Sequence, residues 1–141
     1  MTVRRSRFYL LSLTWGLPLT LCGLTVAAVL RGMGYRSVCY HGARLFTLGR
    51  GWGGLSLGPV LLTCSDASDR LRRHELGHAI QNCCYGPFIL PLVLLSVLRY
   101  HLRERRIRLG LPLTPYDSWW FEGQATALGT AAVSADHRRE E

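Results

Sequence analysis

The chain contains no lysine: its 17 basic residues are all arginine, against 9 acidic residues and a net charge of +8. Charge is scarce altogether, at 18% of residues against 48% hydrophobic, which excludes a disordered acidic or basic arm. A continuous basic stripe is also missing. The arginines border apolar runs instead, which favours a lipid surface over nucleic acid as the partner of the positive charge. The 5 cysteines are odd in number and form no CxxC pair, so a disulfide framework or a cysteine zinc knuckle is not expected. Cys83-Cys84 read as small apolar helix residues. Internal repeats are absent, and 141 residues leave no room for a separate cofactor module.

Residues 8–30 carry no charge at all and are bounded by Arg4, Arg5 and Arg7 before and Arg31 after. As one helix the run spans roughly 34 Å, enough to cross a bilayer core. Gly16, Pro18 and Gly23 are poor residues for an exposed soluble helix and are better tolerated in a membrane. A single transmembrane anchor over residues 1–34 is expected, making the chain a single-pass cell-membrane protein. A cleaved signal peptide is the alternative, with Val26-Ala27-Ala28 as a loose cleavage site. Arg31, Arg36, Arg44 and Arg50 follow the run closely, so arginines flank both ends and set no orientation.

Residues 35–63 read as a short antiparallel ribbon. Val38-Cys39-Tyr40 and Leu45-Phe46-Thr47-Leu48 are β-prone, residues 49–54 are turn material, and residues 55–63 read as one further strand. Pro59 lacks an N–H, which places that strand at an edge or bends it. Asp66, with Asp69 three residues on, supplies capping chemistry for a helix running to about Cys84 and ended by Gly86-Pro87. Residues 88–98 are a second apolar run, too short to span alone, followed by Arg99, Arg103, Arg105, Arg106 and Arg108. An interfacial or re-entrant segment over 87–98 is expected, its arginines at lipid headgroups. Thr114-Pro115-Tyr116-Asp117 then opens a last helix from Trp119 to about Val133, with Thr114 as cap and a frayed polar tail over 136–141.

His74-Glu75-Leu76-Gly77-His78 is an HExxH pentapeptide on the first of these predicted helices. Histidines at i and i+4 share a face and can bind one metal ion, and the glutamate beside them can act as general base on a water. Two histidines satisfied within a core are the bland alternative. A catalytic zinc needs a third ligand. Glu104 sits among arginines, Asp117 has a capping task, His101 has no distinguishing context, and Asp136 and His137 lie in the tail. Glu122 stands out: it follows Trp119-Trp120-Phe121, and Ala125, Thr126 and Gly129 share its helix face. Small residues let two helix backbones approach, and the carboxylate could then reach a metal on the neighbouring helix. The alternative is a surface glutamate on an amphipathic helix.

The pentapeptide, followed 44 residues later by Glu122-Gly123-Gln124-Ala125, resembles the gluzincin zinc peptidases. The wider runs, residues 74–81 with Gly86-Pro87, residues 53–59, and Trp120-Phe121-Glu122, are similar to small bacterial membrane-associated proteins of minigluzincin type. The resemblance covers residues 52–130. It implies an α+β, zincin-like domain over 35–135 in which His74, His78 and Glu122 bind Zn2+ and Glu75 is the catalytic base. It also implies that the 55–63 strand pairs with a peptide substrate. The oxyanion-stabilising histidine or tyrosine of larger gluzincins has no motif here; Tyr116, Tyr100 and His101 are the possibilities. The expected function is that of a membrane-anchored zinc metallopeptidase acting on peptides or proteins near the bilayer. The alternative is a non-hydrolytic zinc-binding membrane protein with a structural or adaptor role.

Overall fold

A computed structural model describes residues 5–138. Its elements follow in the order α1 (Arg5–Leu13), α2 (Leu17–Gly32), β1 (Ser37–Tyr40), β2 (Ala43–Thr47), β3 (Gly54–Leu57), β4 (Val60–Thr63), α3 (Asp69–Tyr85), α4 (Ile89–Arg108) and α5 (Trp120–His137). Short 3-10 turns occupy Gly86–Phe88 and Tyr116–Ser118. The class is α+β.

The four strands form one sheet in the order β1-β2-β4-β3. It is mixed, not the antiparallel ribbon expected: β2 and β4 are parallel, while the two outer pairs are antiparallel. The stretch 55–63 is likewise two strands. Gly58 has φ 61 and Pro59 follows it, the sign pattern of a type II′ hairpin turn, which folds β3 back on β4. Pro59 therefore sits in the turn, and β3 is one of the two edge strands, with β1 at the other side. All four β4 residues are buried because both faces of this central strand are covered. Leu45 and Leu61 meet Leu76, Ala79 and Ile80 of α3 on one face. Phe46, Val60 and Leu62 meet Val26, Ala27 and Leu30 of α2 on the other.

The expected straight N-terminal span is broken. Ser6–Leu13 and Leu17–Gly32 meet at 101°, and as a pair they pass the length and apolarity test as a broken span or a re-entrant loop. Packing explains the bend. Pro18 takes the first turn of α2, where its missing N–H costs nothing. Asn82 of α3 donates to the Gly16 carbonyl (3.2 Å) at the corner, and a Cβ at Gly16 would lie 2.3 Å from the Asn82 amide nitrogen. Gly23 lets α2 lie against β3, since a Cβ there would be 2.1 Å from the Leu57 carbonyl oxygen. These glycines serve helix contacts within the domain, and Phe8 and Leu19 join its core.

Helix α3 is capped by Ser68, whose hydroxyl accepts from the Leu71 N–H (3.2 Å), not by Asp66. Asp66 instead accepts from the Gly51 N–H and braces the 49–53 turn. The helical path Asp69–Arg108 comprises 40 residues, is long and apolar enough to cross a membrane at a mean hydropathy of 1.6, and has 17% of its apolar window buried. It is not one rod. In a straight helix, positions 74 and 96 would stand about 33 Å apart. Yet a single carboxylate, that of Glu122, bonds both His74 and Ser96. The reversal falls at Gly86, whose φ of 56 favours glycine, so α4 turns back towards the Glu122 carboxylate. Pro91 lies in the first turn of α4, where no intrahelical bond is lost, so residues 88–98 and the arginines after them share one helix.

Helix α5 begins at Trp120 and has no side-chain cap; Thr114 does not serve as one. Asp117 pairs with Arg70 (2.6 Å) and so ties the preceding turn to α3. Nor is Asp136 frayed. It meets His41 Nδ1 at 2.7 Å, joining the end of α5 to the β1–β2 turn.

Candidate metal centre

The contact between α3 and α5 is made by absent side chains. A Cβ at Gly77 would lie 1.8 Å from the Ala125 carbonyl oxygen, and one at Gly129 would lie 1.7 Å from the Arg73 carbonyl oxygen. The backbones therefore touch along the face of Glu122, Ala125, Thr126 and Gly129. Glu122 enters in the first turn of α5, because the opening residues Tyr116–Ser118 form a separate 3-10 turn and the α-helix begins only at Trp120.

His74 and His78 face this carboxylate. His74 Nε2 lies 3.1 Å from Glu122 Oε2, His78 Nε2 lies 3.2 Å from the same oxygen, and the two nitrogens are 3.1 Å apart. The Glu122 side chain is 1% exposed, and the two imidazoles are 12% and 17% exposed. Such a triangle has a point about 2.1 Å from each corner, roughly 1 Å above its plane, which is the distance zinc requires.

Hydrogen bonding of the outer nitrogens bears on what belongs there. Gln81 donates its amide nitrogen to the Phe121 carbonyl (2.8 Å) and to Gln124 Oε1 (2.9 Å), which fixes the amide's orientation. Its oxygen therefore faces His78 Nδ1 (2.8 Å), and that nitrogen must be the donor. In the neutral ring this puts the lone pair on His78 Nε2, directed at the triangle; in the protonated ring Nε2 donates to Glu122 Oε2. His74 Nδ1 meets the Thr126 hydroxyl at 2.8 Å, and the Tyr85 hydroxyl donates to Gln124 Oε1 at 2.7 Å. Burial opposes charge on Glu122, but the hydrogen bonds to His74 and His78 prevail and hold it well below the usual carboxylate range. With His78 neutral, an anionic oxygen and a lone pair converge with a second imidazole in a nearly dry space. A cation is the group that satisfies all three.

Glu75 projects from the same helix turn into the cavity beside these ligands. It lies against the edge strand, where a Cβ at Gly54 would be 2.6 Å from Glu75 Oε1. Burial pushes its carboxyl up, against the opposing influence of His78 and His74. Tyr116 lines the cavity too, its ring centroid 6.1 Å from that of His74. Burial, then the Glu122 charge, push its hydroxyl up to about 12, so it stays a donor.

Ser96, whose hydroxyl donates to Glu122 Oε1, carries no signal in the sequence. Its role depends on α4 folding back, and no motif marks it. Gln81 and Gln124 were visible only as letters beside the two motifs. Because Ser96 fixes the carboxylate rotamer, Ser96→Ala is expected to lower zinc affinity by about 10–100-fold while the fold is kept. Competition against a chelator of known affinity measures this, and an unchanged constant would remove Ser96 from the site. Among the comparisons made, no family model, curated protein or solved structure matches the chain.

Proposed function

We propose that the chain is a membrane-associated, zinc-dependent metallopeptidase of gluzincin type. The observation that carries the reading is the convergence of His74, His78 and Glu122, whose facing atoms lie 3.1–3.2 Å apart, beside the buried Glu75 and an open sheet edge. Bound there, zinc would supply Lewis acidity, polarising a carbonyl and acidifying water. The chain's own residues account for the rest of the chemistry. Glu75, with its raised proton affinity, takes a proton from the attacking water and delivers it to the leaving amine. The unpaired edge of β3 offers backbone donors and acceptors to an extended peptide. The Tyr116 hydroxyl is a donor available to the developing oxyanion.

Membrane association is supported by the apolar stretches in both halves of the chain and by the arginines that close α4. The test is zinc content and affinity. Wild-type protein is expected to bind one zinc ion per chain, and Glu122→Ala to bind it about 100-fold more weakly or worse, at least the upper end of what loss of a supporting contact costs. Equal affinity in the two proteins would refute the three-ligand site. Tight zinc binding without hydrolysis of any peptide would leave a non-hydrolytic zinc protein.

A further inference from the structure

The cavity beside the triangle has a volume of about 510 Å³. Its floor is Leu19 of α2, Ile89 of α4 and Phe121 of α5, three residues of one buried apolar cluster. Its mouth is apolar as well: Trp52, Leu55, Val97 and Tyr100 line the cavity and are 38–44% exposed. Apart from the Tyr100 and Tyr116 hydroxyls, the ionisable side chains on its walls are His74, Glu75 and His78 at the site, and Arg103 and Glu104 towards the basic end of α4. Arg103 is already engaged, donating to the Thr114 carbonyl at 2.5 Å.

From this arrangement we infer that the cavity receives an apolar peptide segment, seating a large aliphatic or aromatic side chain next to the reacting bond. The inference rests on the peptidase reading and names its substrate class. A charged side chain on this floor would lose its hydration and find no partner there. A large apolar one would bury its surface against Leu19, Ile89 and Phe121. Small side chains would leave the space unfilled. Outside the cavity, Leu94 and Leu98 of α4 are also exposed. So are Phe88, just before α4, and Trp15 at the α1–α2 corner, with ring centroids 6.2 Å apart. Such a segment can therefore come from a membrane-anchored protein or from an unfolded soluble one.

The test uses the full chain carrying Glu75→Gln, reconstituted in phosphatidylcholine nanodiscs, so that binding is read without turnover. Fluorescein-labelled blocked peptides differing at one position, Leu, Phe, Gly, Asp or Lys, are titrated by polarisation, with and without zinc. Leu and Phe peptides are expected to bind tighter than Asp or Lys peptides by about tenfold or more, the scale of burying one large side chain. Val97→Asp changes an exposed mouth residue and spares the core; it is expected to erase that preference while zinc stoichiometry stays at wild type. Equal affinities across the series, or a preference for charge, would overturn the inference and leave the zinc reading intact. Absence of zinc from the wild-type chain would instead defeat the peptidase reading, with peptide preference still measurable in the metal-free arm. A second arm places the Leu motif close to, or a long linker away from, a transmembrane anchor in the same disc. Preference for the close position assigns membrane-anchored substrates, and equality assigns soluble ones.

Discussion

Replacing Glu75 by glutamine is expected to leave zinc bound at wild-type stoichiometry and to lower peptide hydrolysis by about 10²–10⁴-fold, the usual contribution of a positioned general base. The two halves of that result separate base from ligand. Glu75 is not one of the three groups that converge: those are His74, His78 and Glu122. Its carboxylate lies instead against Gly54 of the edge strand, on the side of the cavity where an extended peptide would lie. Glutamine keeps the shape, so the contact with β3 survives. Its amide cannot accept a proton at neutral pH. The raised proton affinity that burial gives Glu75 moves it closer to the working range of a base, and this is what the amide forfeits. Zinc content by mass spectrometry of the native protein and turnover of a quenched peptide are the two readouts. Loss of zinc with the fold retained would make Glu75 a ligand. Retained turnover would show that another group carries the proton.

How much of this was legible in the sequence depends on the range over which each feature is determined. The helix bearing His74 and His78 is a local matter. Its end at Gly86 was readable because the turn chemistry lies within a few residues. Glu122 was readable through the small residues sharing its face, since helix period alone puts Ala125, Thr126 and Gly129 beside it. The exact start of its helix was not readable, because a 3-10 turn and an α-helix share the same opening residues. The sheet was harder. Nothing local says that β2 runs parallel to β4, for that pairing is settled by which faces α2 and α3 cover. The N-terminal run shows the same limit. Its length and apolarity suggest one straight helix, and the bend comes from Asn82, 66 residues away from the Gly16 carbonyl it bonds. Ser96 was invisible for the same reason: its partner is brought to it by the reversal at Gly86.

Gly77→Ala and Gly129→Ala are each expected to destroy the metal centre, although neither residue touches the ligand atoms. One methyl group is the whole change, and in most helix interiors alanine is the better residue by about 1 kcal/mol. Here the new carbon would stand 1.8 Å from the Ala125 carbonyl oxygen in the first case and 1.7 Å from the Arg73 carbonyl oxygen in the second. Both obstacles are backbone, so no rotamer change relieves them. Helices α3 and α5 must move apart. Overpacking of side chains costs roughly 1–3 kcal/mol, and a backbone collision exceeds the upper end of that range. The same separation lengthens the path from Glu122 to His74 and His78, whose present spacings of 3.1 and 3.2 Å leave little slack for a shared zinc ion. Each variant is therefore expected to melt well below wild type and to copurify without zinc. Gly32→Ala is the control: it lies at the end of α2, and a Cβ there meets nothing within 4 Å. It is expected to melt at or slightly above wild type and to keep its zinc. If Gly77→Ala matched that control in both melting temperature and metal content, the two helices would not be in backbone contact, and the convergence of the three ligands would need another explanation.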